Sequence, residues 1–284
     1  LDLRDEIQSM SETLTPAERK LAAVLLSDYP FAGLDTIQSL ARRTDVSAPS
    51  IARFVQKLGC NGYQEFQRRL IGELKDGRRS PVDLRQPSGP VEDGFLRHFL
   101  ARTAGTLRAA TDVVTEAQFE RISALLGDEK RSIYIIGGRI SDPIAQHFLR
   151  HLRQVRRNVF HLPPDPEAWP EYLLRMRPRD LLVMVDFRRY QRMLDELAKT
   201  ASQERGVGII LVTDRWISPI ATSATEVLAL PVENDTAWDT YVGALAVLDA
   251  VTARVSELDW DATRKRIEAW DEVRLRMGIK QDDR

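Results

Sequence analysis

Apolar positions in the first 74 residues recur at three- and four-residue spacing, which predicts helices rather than strands. Thr15-Pro16-Ala17-Glu18 has the form of a capping box with proline at the first helical position. The helix it opens should place Ala17, Leu21, Val24 and Leu25 on one face. Asp35 is expected to cap a second helix with Ile37, Leu40 and Ala41 inward. A short turn, Thr44-Asp45-Val46, leads to a third helix that Ser47 caps, that runs to Leu58 and that Gly59 ends. Ile51, Phe54, Val55 and Leu58 share its inner face. Its outer face is centred on Pro49, Arg53 and Gln56, flanked by Ser50, Ala52 and Lys57.

The pattern then breaks. Residues 77–93 hold Pro81, Pro87 and Pro90 with glycine, serine and charge, and read as a linker. Helical spacing returns from Gly94 to Val114 and from Phe119 to Leu126. Beyond that, short apolar runs (133–136, 181–185 and 207–212, with weaker ones at 158–162 and 226–232) alternate with amphipathic helical stretches. Strands that alternate with helices predict βαβ units and a buried parallel sheet. Residues 238–277 are helical again. The expected organisation is an α/β chain: an all-α helix-turn-helix domain over 1–76, a linker over 77–93, and a parallel-sheet α/β sandwich over 94–284.

Two short helices joined by a tight turn, the second capped by serine, are the sequence form of a helix-turn-helix. The formal charge of the whole chain is only −1, yet between Arg42 and Arg79 bases outnumber acids nine to four. A local excess of that sign suits a polyanion. Ser50, Arg53 and Gln56 are the candidate base readers, since arginine pairs bidentately with guanine and glutamine with adenine. Ser47, Lys57, Arg42 and Arg43 are candidates for holding phosphates, with Pro49 on the same face. The alternative is a helical bundle with an ordinary solvated face.

Leu14-Thr15-Pro16-Ala17-Glu18-Arg19-Lys20, Leu40-Ala41, Val46-Ser47, Ser50-Ile51-Ala52-Arg53-Phe54, Leu58-Gly59 and Gly62-Tyr63-Gln64-Glu65-Phe66 together resemble the N-terminal domain of the RpiR/MurR regulators. The resemblance implies a winged or extended helix-turn-helix, used as a dimer on palindromic double-stranded operator DNA, with Tyr63 and Phe66 as packing residues. It also implies that the second domain is a SIS (sugar isomerase) domain, a five-stranded parallel α/β sandwich that binds a small effector.

Ligands of open α/β sheets bind beyond the C-terminal ends of the strands, which makes four loops candidates. Gly137-Gly138-Arg139-Ile140-Ser141 matches the family's glycine-rich turn, with Ser141 at the serine that related proteins turn to the ligand; a tight turn alone also explains the glycines. Asp186-Phe187-Arg188-Arg189-Tyr190-Gln191 departs from the family's Ser-x-Ser-Gly-x-Thr cradle. Its arginines suit a carboxylate or phosphate, or one of them neutralises Asp186. The other two loops are 213–218 and 233–236. The effector-site candidates are therefore Gly137, Gly138, Arg139, Ser141, Asp186, Arg188, Arg189 and Tyr190, and the expected ligand is a small anion.

Other chemistry is thinly represented. Cys60 is the only cysteine, which excludes an intrachain disulfide, and it reads as a packing residue. His147 and His151 are four apart on an expected helix but lack a sequence-adjacent carboxylate or cysteine, so no metal site is expected. Trp238, Trp260 and Trp270 read as packing or dimer-interface anchors. No cofactor and no catalytic residue is expected, no run is long and apolar enough to span a bilayer, and the charged opening residues lack a signal peptide's apolar stretch. The residues thus predict a cytoplasmic DNA-binding regulator that forms a homodimer or a higher homo-oligomer. The rivals are an aldose–ketose phosphate isomerase, with Glu167, Glu171 or Glu233 as base, and a DNA-binding protein whose second domain only dimerises.

Overall fold

The computed structural model describes residues 3–27, 29–76 and 94–278; the expected linker lies outside them. The chain divides into two compact units, 1–80 and 81–284.

The first unit is helical, with α1 (Leu3–Ser9), α2 (Pro16–Ser27), α3 (Ile37–Thr44), α4 (Ala48–Lys57) and α5 (Tyr63–Asp76). No strand occurs among its described residues, so the helix-turn-helix carries no wing there. The capping box forms as the sequence suggests. Glu18 Oε2 accepts from the Thr15 backbone N–H at 2.8 Å, and the Glu18 N–H points back at Thr15 Oγ1. Thr36, not Asp35, caps α3, accepting from the Ser39 N–H at 3.2 Å. The buried face of α2 is Leu21, Ala22 and Leu25, while Ala17 is exposed and Val24 only partly covered. These side chains meet Leu40, Ile51, Phe54, Val55, Leu58, Phe66 and Leu70 in a closed core. Arg69 ties the bundle shut, donating to Glu6 at 2.7 Å and to the Leu58 carbonyl at 2.9 Å. Cys60 is buried beside it.

The second unit opens with α6 (Phe95–Val113) and α7 (Glu116–Gly127). Then β1 (Ile133–Gly137), α8 (Asp142–Val155), β2 (Val159–His161), α9 (Trp169–Arg175), β3 (Leu181–Val185), α10 (Arg192–Gln203), β4 (Gly208–Asp214) and β5 (Glu226–Leu230) alternate. Helices α11 (Val242–Leu258) and α12 (Trp260–Arg276) follow. The five strands are all parallel, in the order β2-β1-β3-β4-β5. Period-two alternation sorts each strand between two cores. Ile133, Ile135, Val183 and Val212 pack with α7, α8 and α11, and Tyr134, Ile136, Leu182 and Leu211 pack with α10 and Trp169. Because every strand points the same way, all the strand-exit loops gather on one edge. The order reverses between β1 and β3, so the loops that leave these two paired strands part and leave an opening beyond the strand ends.

Candidate functional sites

In the first unit α3 and α4 are set by short-range chemistry. Asp45 adopts the left-handed conformation (φ 54°) that ends α3, and the Val46 N–H returns to the Ala41 carbonyl at 3.2 Å. Ser47 then caps α4 by accepting from the Ser50 N–H. With Ile51, Phe54, Val55 and Leu58 buried, Pro49, Arg53 and Gln56 stand exposed. Ser47, Ser50 and Arg53 form a connected polar strip, Oγ to Oγ at 2.9 Å and Arg53 Nη2 to Ser50 Oγ at 3.2 Å. Arg42 and Arg43 are exposed at the end of α3, with Arg43 3.9 Å from Asp35. Lys57 stands apart from the other candidates. It is ion-paired with Glu18 of α2, and that bond, more than the capping bond, holds the Glu18 carboxyl below the usual carboxylate range. Tyr63 and Phe66 pack as expected: Phe66 is buried, and the Tyr63 hydroxyl lies 3.1 and 3.0 Å from the carbonyls of Gly33 and Asp35.

In the second unit a crevice of about 700 Å³ lies over the β1–β3 opening. Gly137, Gly138 and Arg139 line it, together with Asp142, Gln146, Trp169, Gln191 and Arg192. The glycine turn is as tight as the backbone permits. A Cβ on Gly137 would stand 2.5 Å from Asp142 N and Cα, and one on Gly138 would press on Ser141 Oγ and Asp186 Oδ1. Ser141 is buried beneath this turn. It accepts from the Gly138 N–H at 2.9 Å and donates to the Val185 carbonyl at 2.5 Å, so its hydroxyl joins the β1 and β3 exits. Asp142 accepts from the Gly137 N–H at 3.0 Å and from Gln146 at 2.7 Å, and lies 2.8 Å from His161 Nε2.

The loop after β3 divides the strand-end edge. Gln191 and Arg192 border the crevice, Arg189 is exposed with φ 70°, and Arg188 and Tyr190 turn toward β4 and β5. Asp186 is buried and accepts from the Ser218 hydroxyl at 2.5 Å. An arginine does not neutralise it. Arg188 instead grips Asp239 with its fork, Nε donating to Oδ2 at 2.6 Å and Nη2 donating to Oδ1. Its guanidinium carbon lies 4.5 Å from the Trp216 ring centroid, and Arg215 lies 4.7 Å from the same centroid. Asp214, fully buried, accepts from the Tyr190 hydroxyl at 2.5 Å and the Trp216 N–H at 3.1 Å. Burial pushes Asp186 up to about 7 against the Ser218 bond, and pushes Asp214 up to about 7 against the bond from Tyr190. Burial and then the Asp214 charge raise the Tyr190 hydroxyl far above its ordinary range.

Other sequence expectations meet the structure unevenly. A carboxylate does stand by the histidines: Asp249 of α11 lies 2.8 Å from His147 Nε2, with His151 stacked against His147. It comes from a segment a hundred residues away, which local spacing does not reveal. Among the described residues no group of three ligand-type side chains is placed to hold a metal, and no helix is long and apolar enough to cross a membrane. Trp238 is 71% exposed, and Trp260 and Trp270 are each 50% exposed, so none is a core residue of its own chain. Of the candidate isomerase bases, Glu167 and Glu171 are exposed, and Glu233 is ion-paired with Arg215 at 2.5 Å. Gln146, Trp169 and Arg192 were missed by sequence reasoning, and Gln191 stands in a candidate loop without being singled out. Their shared position at the strand-order reversal appears only once strand order is known.

A family model described as the helix-turn-helix domain of the rpiR family matches residues 1–77, and a SIS-domain model matches residues 125–254. The chain thus joins a helix-turn-helix domain of the rpiR family to a SIS domain, the make-up of a transcriptional regulator. The HTH-type transcriptional regulator HexR of Pseudomonas aeruginosa is 28% identical over 271 residues, which cover 90% of this chain and 89% of the relative. The bifunctional protein glk of Paraburkholderia xenovorans is 39% identical over 144 residues, half of this chain but 22% of the relative. In fold, the chain is similar to the sugar isomerase domain of an RpiR transcription factor from Sphaerobacter thermophilus (TM-score 0.57, 20% identity, covering 62% of this chain and 97% of that one). It is also similar to the NanR protein of Vibrio vulnificus complexed with ManNAc-6P (TM-score 0.56, 18% identity, covering 97% and 99%).

Proposed function

We propose that this regulator binds a twofold-symmetric operator as a homodimer through α4. We further propose that a small anionic metabolite, of the sugar-phosphate or sugar-acid kind, alters that binding from the β1–β3 crevice. The crevice is the observation that carries the reading. Its glycine turn, which carries no side chains, lets a ligand come close to the backbone at the start of α8, and Arg139 and Arg192 place two permanent positive charges on its wall. NanR, which shares the fold, is complexed with a sugar phosphate. On the DNA side, Ser50, Arg53 and Gln56 read bases while Ser47, Arg42 and Arg43 hold phosphates, with Pro49 closing the contact face. Of the sequence candidates for the effector, Gly137, Gly138 and Arg139 contact it, and Ser141 and Asp186 shape the seat from below. Domain limits of 1–76 and 94–284 and a cytoplasmic setting complete the reading.

The test titrates sugar phosphates, and the same sugars without phosphate, into the full chain. The phosphate-bearing compounds are expected to bind more tightly. Arg139→Ala and Arg192→Ala should each cost about 1.5–3 kcal/mol of that affinity, the range for a hydrogen bond to a charged group, and leave ligand-free DNA binding intact. Equal affinity for sugars with and without phosphate, or unchanged affinity in both variants, overturns the reading.

A further inference from the structure

Arg188 was expected to meet a ligand, and the structure gives its fork to a residue of the same chain. A two-point grip on a carboxylate is the geometry arginine offers a ligand carboxylate or phosphate. Here Asp239 fills it, in a pocket where the Arg188 side chain is only 5% exposed and lies against Trp216. Asp239 belongs to the segment 231–241 that leads from β5 to α11.

That segment has a second set of bonds, all to α6. Thr106 Oγ1 donates to the Glu233 carbonyl at 3.0 Å, Asn234 Nδ2 donates to Thr103 Oγ1 at 3.2 Å, and Arg102 pairs with Asp235 at 3.0 Å. The joint is only partly satisfied, since Asn234 Oδ1 is buried without a partner among the described residues. Thr103 is the first buried residue of α6; Phe95 and Leu96 before it are about 70% exposed. Residues 102–106 therefore fix the direction of the first half of α6, and that half is what the chain reaches after leaving the DNA-binding unit.

The geometry points to Asp239 as a built-in stand-in for a second small anion, at a site apart from the β1–β3 crevice: a carboxylate or phosphate that takes its place on Arg188 frees the segment 231–241 and, through its bonds to Arg102, Thr103 and Thr106, loosens α6. This inference goes beyond the effector reading above, because Arg188 does not line the crevice of that reading. A ligand shifts a conformational equilibrium only by binding its two states unequally. Here the inequality is built in, because Asp239 and the ligand anion compete for one guanidinium. The exchange is of like for like, an anion for an anion, so Arg188 stays paired in both states and no buried charge is stranded.

The experiment uses the full chain without DNA, so that a failure of operator binding cannot be mistaken for a failure of the exchange. Inorganic phosphate and, separately, acetate are titrated into the wild type, Asp239→Asn and the double variant Arg188→Ala/Asp239→Asn. Hydrogen exchange is followed over residues 95–106 and 231–241. Asp239→Asn, which keeps the side chain's shape and removes its charge, should bind at least one of the two anions about tenfold more tightly than the wild type. The double variant should lose that gain, and the arm that shows it tells phosphoryl from carboxylate recognition. Exchange in both segments should quicken in Asp239→Asn, and in the wild type at saturating anion, which tests the inference even if the variant does not fold. Unchanged anion affinity in a folded Asp239→Asn, or faster exchange in 231–241 with residues 95–106 unmoved, overturns it.

Discussion

Asp186 and Asp214 sit at the exits of β3 and β4 with almost no contact with water, and each is held by a hydroxyl, from Ser218 and Tyr190 respectively. An aspartate in an unfolded chain ionises near about 4, whereas burial moves both of these to about 7. Between those values the folded state binds more protons than the unfolded state, so stability falls as pH rises through the window and levels off above it. The melting temperature should drop between about pH 5 and about pH 7.5. Asp186→Asn should flatten that slope, and a slope equal to the wild type's contradicts the assignment. Gly137 makes a second residue-scale prediction. Its missing Cβ is space already taken by the backbone of Asp142, which cannot rotate away. Gly137→Ala should therefore destabilise the chain by about 1–3 kcal/mol, the cost of overpacking, and close the crevice to ligand, read by denaturant titration and calorimetry.

At the scale of elements, the helix-turn-helix was legible because its signals are local. The capping box at Thr15, the Ser47 cap, the turn at Asp45 and the stop at Gly59 each depend on residues within one turn of one another. The errors there come from choices that local chemistry leaves balanced. Asp35 and Thr36 are both good caps, and only the backbone decides which one flanks α3. Lys57 lies on the outer half of α4 by periodicity, yet its long side chain reaches back to Glu18. The sheet was equally plain as a set of apolar runs, but its order was not, and with the order went the crevice residues Gln146, Trp169 and Arg192. The Arg188–Asp239 pair spans 51 residues and two loops, and no spacing rule links them. Phe54 offers the test of the element. It is fully buried where α2, α3 and α4 meet in the core, and Phe54→Ala should cost about 3–5 kcal/mol in unfolding free energy. A loss below 1 kcal/mol would mean that α4 is not seated as described.

On the scale of the whole molecule, the claim is that one exposed helix face reads DNA and a sheet edge elsewhere in the chain governs the reading. Affinity from phosphate contacts is common to all sequences and falls steeply with salt, whereas base contacts give preference. Arg53 and Lys57 should therefore behave differently. Arg53→Ala should relax one operator position at a cost of about 1–3 kcal/mol, while Lys57→Ala mainly loses an ion pair within the chain. The most direct measurement is selection of random-sequence duplex DNA by the full chain and by Arg53→Ala, with the bound sequences read out. The expected result is one enriched, twofold-symmetric motif for the wild type, and the same motif with a single relaxed position in each half for the variant. Retention of duplexes with no enriched motif, or an identical motif from both proteins, contradicts the reading of α4 as the DNA-reading helix.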